Sequence, residues 1–399
     1  MKKIYYKRVK KFLIITILLF SVFGYSESFA DALDNNKVIE SISDEEVDNQ
    51  LNDLYNYINH MKLDIEILND LDPVDYIKSY VKNGEGTISI NKIIKAIVSF
   101  VFKEVKTALS LSVSIIVIAI ICALIKNLQL AFSNENIANI AFYACYSILI
   151  ILLSKSFIVS INIAIDIIDR LAEFMAALLP VLVMMIASVG GFSQAATMDP
   201  IILGATIIIP RIYKNVIIPL ILISFVLNFV NNISTEYKIS NLAKMAKQAS
   251  LWMQGIILAV FIGLLTVRGI TSSTLDAVTL KTAKFAVDNF IPIVGKAFSD
   301  AISSVAGYSL IIKNAVSTIG LVIIIIMMLY PIIKILLISL VYKLSAAIIE
   351  PISDKRITTS IISAADSLTL LMSCVLSVSL MFFILLAIIA SAGKFVIGG

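Results

Sequence analysis

The sequence predicts an all-α, polytopic membrane protein with a small exported helical region near its N-terminus. Of its 399 residues, 59% are hydrophobic and 15% are charged, whereas soluble domains carry about 25% charged residues. The mean hydropathy is +0.95, and a soluble monomer of this composition would expose apolar patches far larger than such proteins tolerate. Apolar runs near the ~20 residues that cross a bilayer recur after residue 106. We expect six to eight crossings, some of them broken by proline.

Residues 1–30 have the layout of a cleavable signal peptide. Six basic residues among the first eleven precede an apolar core at 12–25. Small residues, Ser28 and Ala30, stand three and one positions before Asp31, which predicts cleavage between Ala30 and Asp31. The alternative is an uncleaved membrane anchor, although the apolar core is shorter than the ~20 residues that a full span needs.

Residues 31–91 are predicted to form an acidic, exported, helical region. Fifteen acidic residues and eight basic ones lie between 31 and 106. Apolar residues from Leu51 to Ile58 recur at the three- and four-residue spacing of one helical face, and Ser43 with Glu46 forms a capping-box pattern. The region is too small to build a substantial core alone. We therefore expect it to pack on the membrane body or on a partner.

Residues 92–106 are predicted to be a basic amphipathic helix in the headgroup layer. Lys92, Lys95, Lys103 and Lys106 recur on one face, while apolar side chains occupy much of the remaining surface. A basic stripe opposite an apolar face suits a helix that lies on a bilayer. The alternative is that these residues are the hydrated first turns of the following span.

Residues 107–399 form the predicted polytopic membrane domain. The expected spans are 108–125, 137–154 with an apolar extension to 168, 174–190, 201–230, 251–267, 315–333, 335–349 and 367–389. The stretch 201–230 is long for one helix and short for two, and Pro210 and Pro219 interrupt it. A broken helix or a re-entrant pair is expected there. Pro331 and Lys334 are expected to separate two further spans.

Charged residues beside or inside these spans are the main functional signal. Asp166, Asp169, Arg170 and Glu173 cluster within two helical turns, and the four-residue spacing of Asp166 and Arg170 allows them to pair. Charges at bilayer depth are costly and usually face protein or a water-filled path. The alternative is that all four residues lie in an interfacial turn between two spans.

Two further charged residues, Asp199 and Arg211, mark the proline-interrupted stretch, together with Lys214. Irregular backbone at bilayer depth survives only where protein or water covers its polar groups. We therefore predict that this stretch is a pore-lining or partner-binding element.

No pattern of catalytic, metal-binding or cofactor-binding residues is present in the sequence. The single histidine, His60, lies in a polar helical segment, and the three cysteines are isolated within apolar runs. The phosphate-binding Gly-Lys-Ser/Thr loop of ATPases is missing, and no basic domain offers a nucleic-acid site. We expect a protein that is not an enzyme, holds no cofactor and binds the lipid bilayer rather than nucleic acid.

A set of segments between residues 261 and 314 has the character of a family signature. They are Phe261-Ile262-Gly263-Leu264-Leu265-Thr266-Val267-Arg268-Gly269, Ser272-Ser273, Asp276, Thr282-Ala283-Lys284, Asn289-Phe290-Ile291-Pro292-Ile293-Val294-Gly295, Phe298-Ser299-Asp300-Ala301 and Lys313-Asn314. This region closely resembles the signature region of the stage III sporulation protein AE family of endospore-forming bacteria. Further similar segments are 342–347 and 381–383.

The resemblance implies a role that composition alone does not give. Members of this family are made in the mother cell and work with the other membrane proteins of the same sporulation operon and with their ATPase. Together with a forespore partner they form a secretion-like channel that supports late forespore gene expression. The resemblance therefore implies a permease-like channel subunit in the mother-cell membrane around the forespore. A self-sufficient secondary transporter, with Asp166 or Asp199 at its coupling-ion site, is the alternative.

The segment 289–295 is predicted to be a bend that acts as an assembly contact or a gate. Pro292 has no N–H and disfavours α geometry at the residue before it, and Gly295 adds backbone freedom. Asn289, Pro292 and Gly295 are the candidate residues, because the resemblance is strongest in this region. The alternative is a turn that ends a helix and has no partner.

Overall fold

A computed structural model describes residues 90–131, 135–188, 191–233, 239–290 and 295–391 of the chain. Within these ranges the regular structure is helical and contains no strand, which confirms the all-α prediction. The predicted signal peptide with its cleavage site at Ala30 and Asp31, and the acidic region up to residue 89, lie outside the described residues.

Five long helices form most of the described chain. They are α1 (Ile90–Ala131), α2 (Glu135–Ser188), α6 (Ser240–Phe290), α7 (Gly295–Ile349) and α8 (Lys355–Ser391). Between α2 and α6 the chain forms one helical stretch of mixed geometry. Its parts are α3 (Phe192–Leu203), the π-helical turn π1 (Gly204–Ile208), α4 (Ile209–Ile212), a second π-helical turn π2 (Tyr213–Ile217) and α5 (Ile218–Ile233).

Six helical segments within the described residues are long and apolar enough to cross a membrane, in agreement with the predicted six to eight. They are Ile97–Ile125, Phe142–Ser188, Gly204–Asn232, Ser240–Val267, Ser309–Ile349 and Lys355–Ser391. The second of them has 47 residues, about 70 Å of helix at 1.5 Å per residue. That is about twice the ~30 Å hydrocarbon core, so only part of α2 can lie in lipid.

The long helices cross points where the sequence suggested boundaries. Pro331 lies inside α7, which is one helix where two spans separated by Pro331 and Lys334 were expected. A proline removes one backbone hydrogen bond. The fully buried neighbours Met327 and Ile335 hold the helix on both sides of that gap. Helix α1 likewise continues across residue 106, and the interfacial placement of residues 92–106 stays a prediction.

The stretch 192–233 contains neither a break nor a re-entrant pair. Each π-helical turn ends two residues before a proline, π1 before Pro210 and π2 before Pro219. A proline cannot donate to the carbonyl four residues earlier, and its ring clashes with that carbonyl. The wider π turn accommodates this clash, and π turns are frequent at functional sites. The prolines therefore change the helical geometry without ending the helix.

Helices α7 and α8 form an antiparallel hairpin that packs on α2. At the centre of this packing, a Cβ on Gly320 would lie 2.8 Å from Leu178 Cδ2 and 2.9 Å from Leu386 Cδ2. Both leucines are almost completely buried. The three helices therefore approach closely at a position that only glycine fills without displacing its neighbours, as is typical of helix packing in membranes.

The turn between α7 and α8 is anchored to the first half of α2. Asp354 accepts a hydrogen bond from the backbone N–H of Arg356 at 2.8 Å and thereby caps the start of α8. The Arg356 guanidinium lies 4.2 Å from the ring centroid of Phe142, and the Tyr146 and Ser360 hydroxyls are 2.5 Å apart. These contacts place the charged turn beside residues 142–146 of α2.

Candidate functional site

The candidate site is a surface formed by the middle of α2 and by α4 with π2, which we call the polar stripe. Its six charged residues are Asp166, Asp169, Arg170, Glu173, Arg211 and Lys214. Three acids and three bases give it no net charge. The predicted alternative placed residues 166–173 in an interfacial turn. The segment is not a turn, because α2 is helical throughout it, and its depth in the membrane stays a prediction.

Two ion pairs organise the polar stripe. Arg170 Nε donates to Asp166 Oδ2 at 2.8 Å along α2. Lys214 Nζ donates to both carboxylate oxygens of Asp169 at 2.7 Å and so connects π2 to α2. The side chains remain accessible, since Asp166 is 62% exposed and Asp169 is 41% exposed. Both pairs therefore lie on the surface of the chain.

The second π turn directs neighbouring side chains to opposite sides of the helix. Tyr213 is fully buried, and its hydroxyl lies 2.6 Å from the hydroxyl of Ser377 in α8. The next residue, Lys214, reaches outward to Asp169. Arg211 and Glu173 are also exposed. The turn thus holds the polar stripe at a fixed height against α8.

Contacts between α7 and α8 show which of their residues lie level with the polar stripe. Height here means position along the helix axes. Lys313 Nζ donates to the carbonyl of Ala390 at 3.0 Å. Ser339 Oγ donates to the carbonyl of Ala365 at the other end of the hairpin, also at 3.0 Å. Counting inward from these contacts places Ser377 opposite Ile326 and Met327. The polar stripe therefore lies level with the apolar run Leu321–Leu329 of α7.

A second group of charges lies at another height. Lys334 of α7 contacts Glu104 of α1 at 3.3 Å. Asp366 of α8 lies between Lys247 of α6 at 3.4 Å and Lys343 of α7 at 3.8 Å. We call these five residues the charged belt. It joins four long helices over the nine residues of α7 from Lys334 to Lys343, roughly 14 Å along the helix.

The predicted site residues lie in different parts of the structure. Asp166 and Arg170 are paired within the polar stripe, and Arg211 lies on its edge. Asp199 belongs to α3, and its side chain is outside the described residues.

The candidate bend lies between two helices. Asn289 is the penultimate residue of α6 and Gly295 is the first of α7, whereas Pro292 belongs to the four intervening residues that the structure does not describe. The proposed role of this segment as an assembly contact or gate stays a prediction.

Sequence reasoning missed two polar contacts. The Asp169–Lys214 pair joins residues 45 positions apart, a separation without any periodic signal. Lys313 is completely buried and donates to the last turn of α8. In the part of the chain that the structure describes, no three His, Cys, Asp or Glu side chains converge in the manner of metal ligands.

Comparisons with known proteins point to one family. The family model described as stage III sporulation protein AE matches residues 71–393. A curated relative, the stage III sporulation protein AE of Bacillus subtilis (strain 168), is 34% identical over 312 residues. That alignment covers 78% of this chain and 78% of the relative. No solved structure matches the chain.

Proposed function

We propose a channel function on the premise that this chain belongs to the stage III sporulation protein AE family. Family membership implies a role in sporulation, and the six apolar helical segments indicate a multi-pass membrane protein. The proposed role is a permease-like subunit of a secretion-like channel between mother cell and forespore. It would reside in the mother-cell membrane around the forespore.

The observation that best supports a channel subunit is the exposure of the polar stripe. Six charged residues lie on the surface of a body whose other exposed side chains are largely apolar. Lipid tails do not solvate such charges. A body with apolar faces and one charged face suits a channel subunit. Its apolar faces would contact lipid, and its charged face would contact water or protein.

The proposed partners are the other membrane proteins of the same sporulation operon, their ATPase and a forespore channel protein. In this proposal the chain is not an enzyme, and the ATPase subunit supplies the energy. Apolar side chains of α1 are accessible, with Val113 60% exposed and Leu124 56% exposed. Such surfaces are available to lipid or to neighbouring subunits.

A self-sufficient secondary transporter is the second candidate. It is favoured by Asp166, an accessible carboxylate between apolar segments of one helix, where transporters place their coupling ions. Uptake of solutes by the purified protein in liposomes separates the two functions. A lone channel subunit should show no uptake driven by an ion gradient, whereas a transporter should concentrate its solute.

The channel proposal is tested by deletion of the gene and by purification of the tagged protein from sporulating cells. We expect the deletion to prevent the formation of heat-resistant spores and late forespore gene expression. We also expect the tagged chain to co-purify the other operon membrane proteins. Normal spore formation without the gene, or isolation of the chain without any of these subunits, would contradict the proposal.

A further inference from the structure

We propose that the polar stripe lines a water-filled path at the middle of the bilayer. This inference rests on the proposed channel function and assigns the conducting face to one particular surface, α2 with α4 and π2. The contents of the path are water and hydrophilic solutes. The inference follows from the depth of the stripe, its exposure and its charge balance.

Three helices define where the bilayer lies. Helix α6 has an uncharged run of 20 residues between Lys247 and Arg268, and α7 has one of 20 residues between Lys313 and Lys334. Helix α8 is uncharged from Ser367 to its end at Ser391. About 20 helical residues span the ~30 Å hydrocarbon core. The contacts Lys247–Asp366 and Lys313–Ala390 align the three runs in one layer.

The polar stripe lies near the middle of this layer. Asp169 pairs with Lys214, whose neighbour Tyr213 bonds to Ser377, and Ser377 lies opposite Ile326 and Met327 of α7. The middle of the uncharged run of α7 is at residues 323–324. The offset of about three residues corresponds to roughly 5 Å along the helix.

A second layer of uncharged α1 and α2 segments overlaps the charged belt at Lys343, because Ser112 of α1 lies 2.7 Å from Ser345 of α7. It contains residues 107–125 of α1 and 136–154 of α2. The charged α7–α8 turn lies within its height, because Arg356 stacks on Phe142 and Tyr146 contacts Ser360. An α-helix of the length of α2 cannot place both layers in one bilayer. We assign the layer formed by α6, α7 and α8 to lipid. The apolar surface of α1 beyond it, where Val113 and Leu124 are exposed, then faces neighbouring subunits in this proposal.

At this depth the polar stripe needs an environment other than lipid. Charges near the bilayer centre face protein or water-filled cavities because hydrocarbon does not solvate them. The exposed fraction of Asp166, 62%, shows that the described part of the chain leaves the stripe open. Neighbouring α7 and α8 present only apolar exposed side chains at the same height, including Ile325 and Leu376.

The charge balance favours water over a protein partner. Three acids and three bases already compensate one another, and two ion pairs form within the chain. A docking partner would find no net charge to neutralise and would have to desolvate both pairs, which is costly. Water solvates the exposed carboxylate and guanidinium atoms without this cost. A surface with no net charge also admits hydrophilic solutes of either sign. One chain supplies one wall, so further subunits must complete the path.

The test is the reaction of single introduced cysteines with charged thiol reagents that do not cross membranes. The full-length chain is expressed in sporulating cells after replacement of the native Cys122, Cys145 and Cys374 by alanine. Glu173→Cys and Asn215→Cys report the polar stripe and its edge. The matched controls Ile325→Cys and Leu376→Cys are exposed apolar positions at the same height.

We expect cationic and anionic reagents to modify both stripe cysteines at least about tenfold faster than both controls, since the reactive thiolate forms in water. Unreactive stripe cysteines would overturn the inference by showing that protein or lipid covers the stripe. Equal reactivity of the controls would also overturn it by showing that the layer is not in lipid. Labelling is read as the modified fraction of protein, independently of spore yield. The inference can therefore fail while the sporulation role holds, and the converse outcome is equally visible.

Discussion

Helices α2 and α7 have nearly the same length and opposite composition at the same height. They contain 54 and 55 residues, and each includes one internal proline. Where they run side by side, α2 carries four charged residues between 166 and 173, while α7 carries none between 314 and 333. The difference follows from their surroundings. Buried α7 side chains such as Ile326 and Met327 face the protein core, whereas the charged face of α2 is open.

The comparison shows that apolar length alone does not fix the position of a helix in the membrane. Both helices exceed the thickness of a bilayer, so hydropathy allows each to slide along its axis. The ion pairs and the close contact at Gly320 remove this freedom by fixing each helix against its neighbours. The face of the packed helices that carries charge is then the candidate functional surface.

The largest effect on stability and abundance should come from placing a charge on α7 at the height where α2 carries its charged residues. Met327 is completely buried, and Met327→Asp would introduce an unpaired carboxylate into the core. We expect loss of at least about 3 kcal/mol of stability and little accumulation of protein in membranes. Quantitative immunoblotting of membrane fractions measures this effect.

The matched control is Asn215→Asp, which adds the same charge beside the polar stripe at an exposed position. This variant should accumulate to at least half of the normal level. If the two variants were equally abundant, or if Asn215→Asp were the scarcer, the contrast between the two faces would be wrong.

A smaller effect is expected from filling the close contact that fixes α7 against α2 and α8. Gly320→Val would bring its side chain against Leu178 and Leu386 and cost about 1–3 kcal/mol by overpacking. The temperature at which half of the protein aggregates in detergent should fall by several degrees. Gly255→Val is the control, because a Cβ at Gly255 meets nothing within 4 Å. Equal shifts for both variants would count against the packing of this hairpin on α2.

The cross-helix pair of the polar stripe should show a coupling of about 1 kcal/mol. Asp169→Asn and Lys214→Gln each leave one charge without its partner, whereas the double variant removes both. We therefore expect the stability losses of the two single variants to add up to more than the loss of the double variant. The difference is the coupling energy of the pair. Thermal stability of the four proteins in one double-mutant cycle measures the coupling. A coupling near zero would show that the pair does not connect π2 to α2.

The smallest effect on abundance is expected where α6 leads into α7. Pro292→Ala relieves the predicted constraint and Gly295→Val crowds the first residue of α7 with a β-branched side chain. If the segment is a gate or an assembly contact, both variants accumulate normally but sporulate poorly and lose the other channel subunits. Normal spore yield at normal abundance would reduce the segment to a turn that ends a helix.

The fold class was predictable because hydropathy depends on local composition. Uncharged runs such as 367–389 are visible in the sequence alone, and they predict the candidate spans. The continuity of α2 and α7 was not predictable, since charges at 166–173 and Pro331 are ordinary signs of a boundary. Packing with helices distant in the sequence keeps both helices intact.

The polar stripe was predictable only in part. The spacing of Asp166 and Arg170 predicts a local contact, and the resemblance to a family suggests where to look for function. The Asp169–Lys214 pair depends on how two antiparallel helices align, and this alignment depends on the π turns before Pro210 and Pro219. Prolines at 210 and 219 indicate irregular geometry but not whether the helix breaks or widens.

The central claim is that α2 and α7 meet different environments at one depth, and paramagnetic accessibility tests it most directly. Nitroxide labels are attached at Asn215→Cys and Ile325→Cys in protein extracted from sporulating cells within native membrane discs. Collisions with a water-soluble nickel chelate and with membrane-soluble oxygen are then compared. The account predicts that nickel relaxes the label at 215 and that oxygen relaxes the label at 325. Preferential relaxation of both labels by oxygen, or of both by nickel, would contradict it.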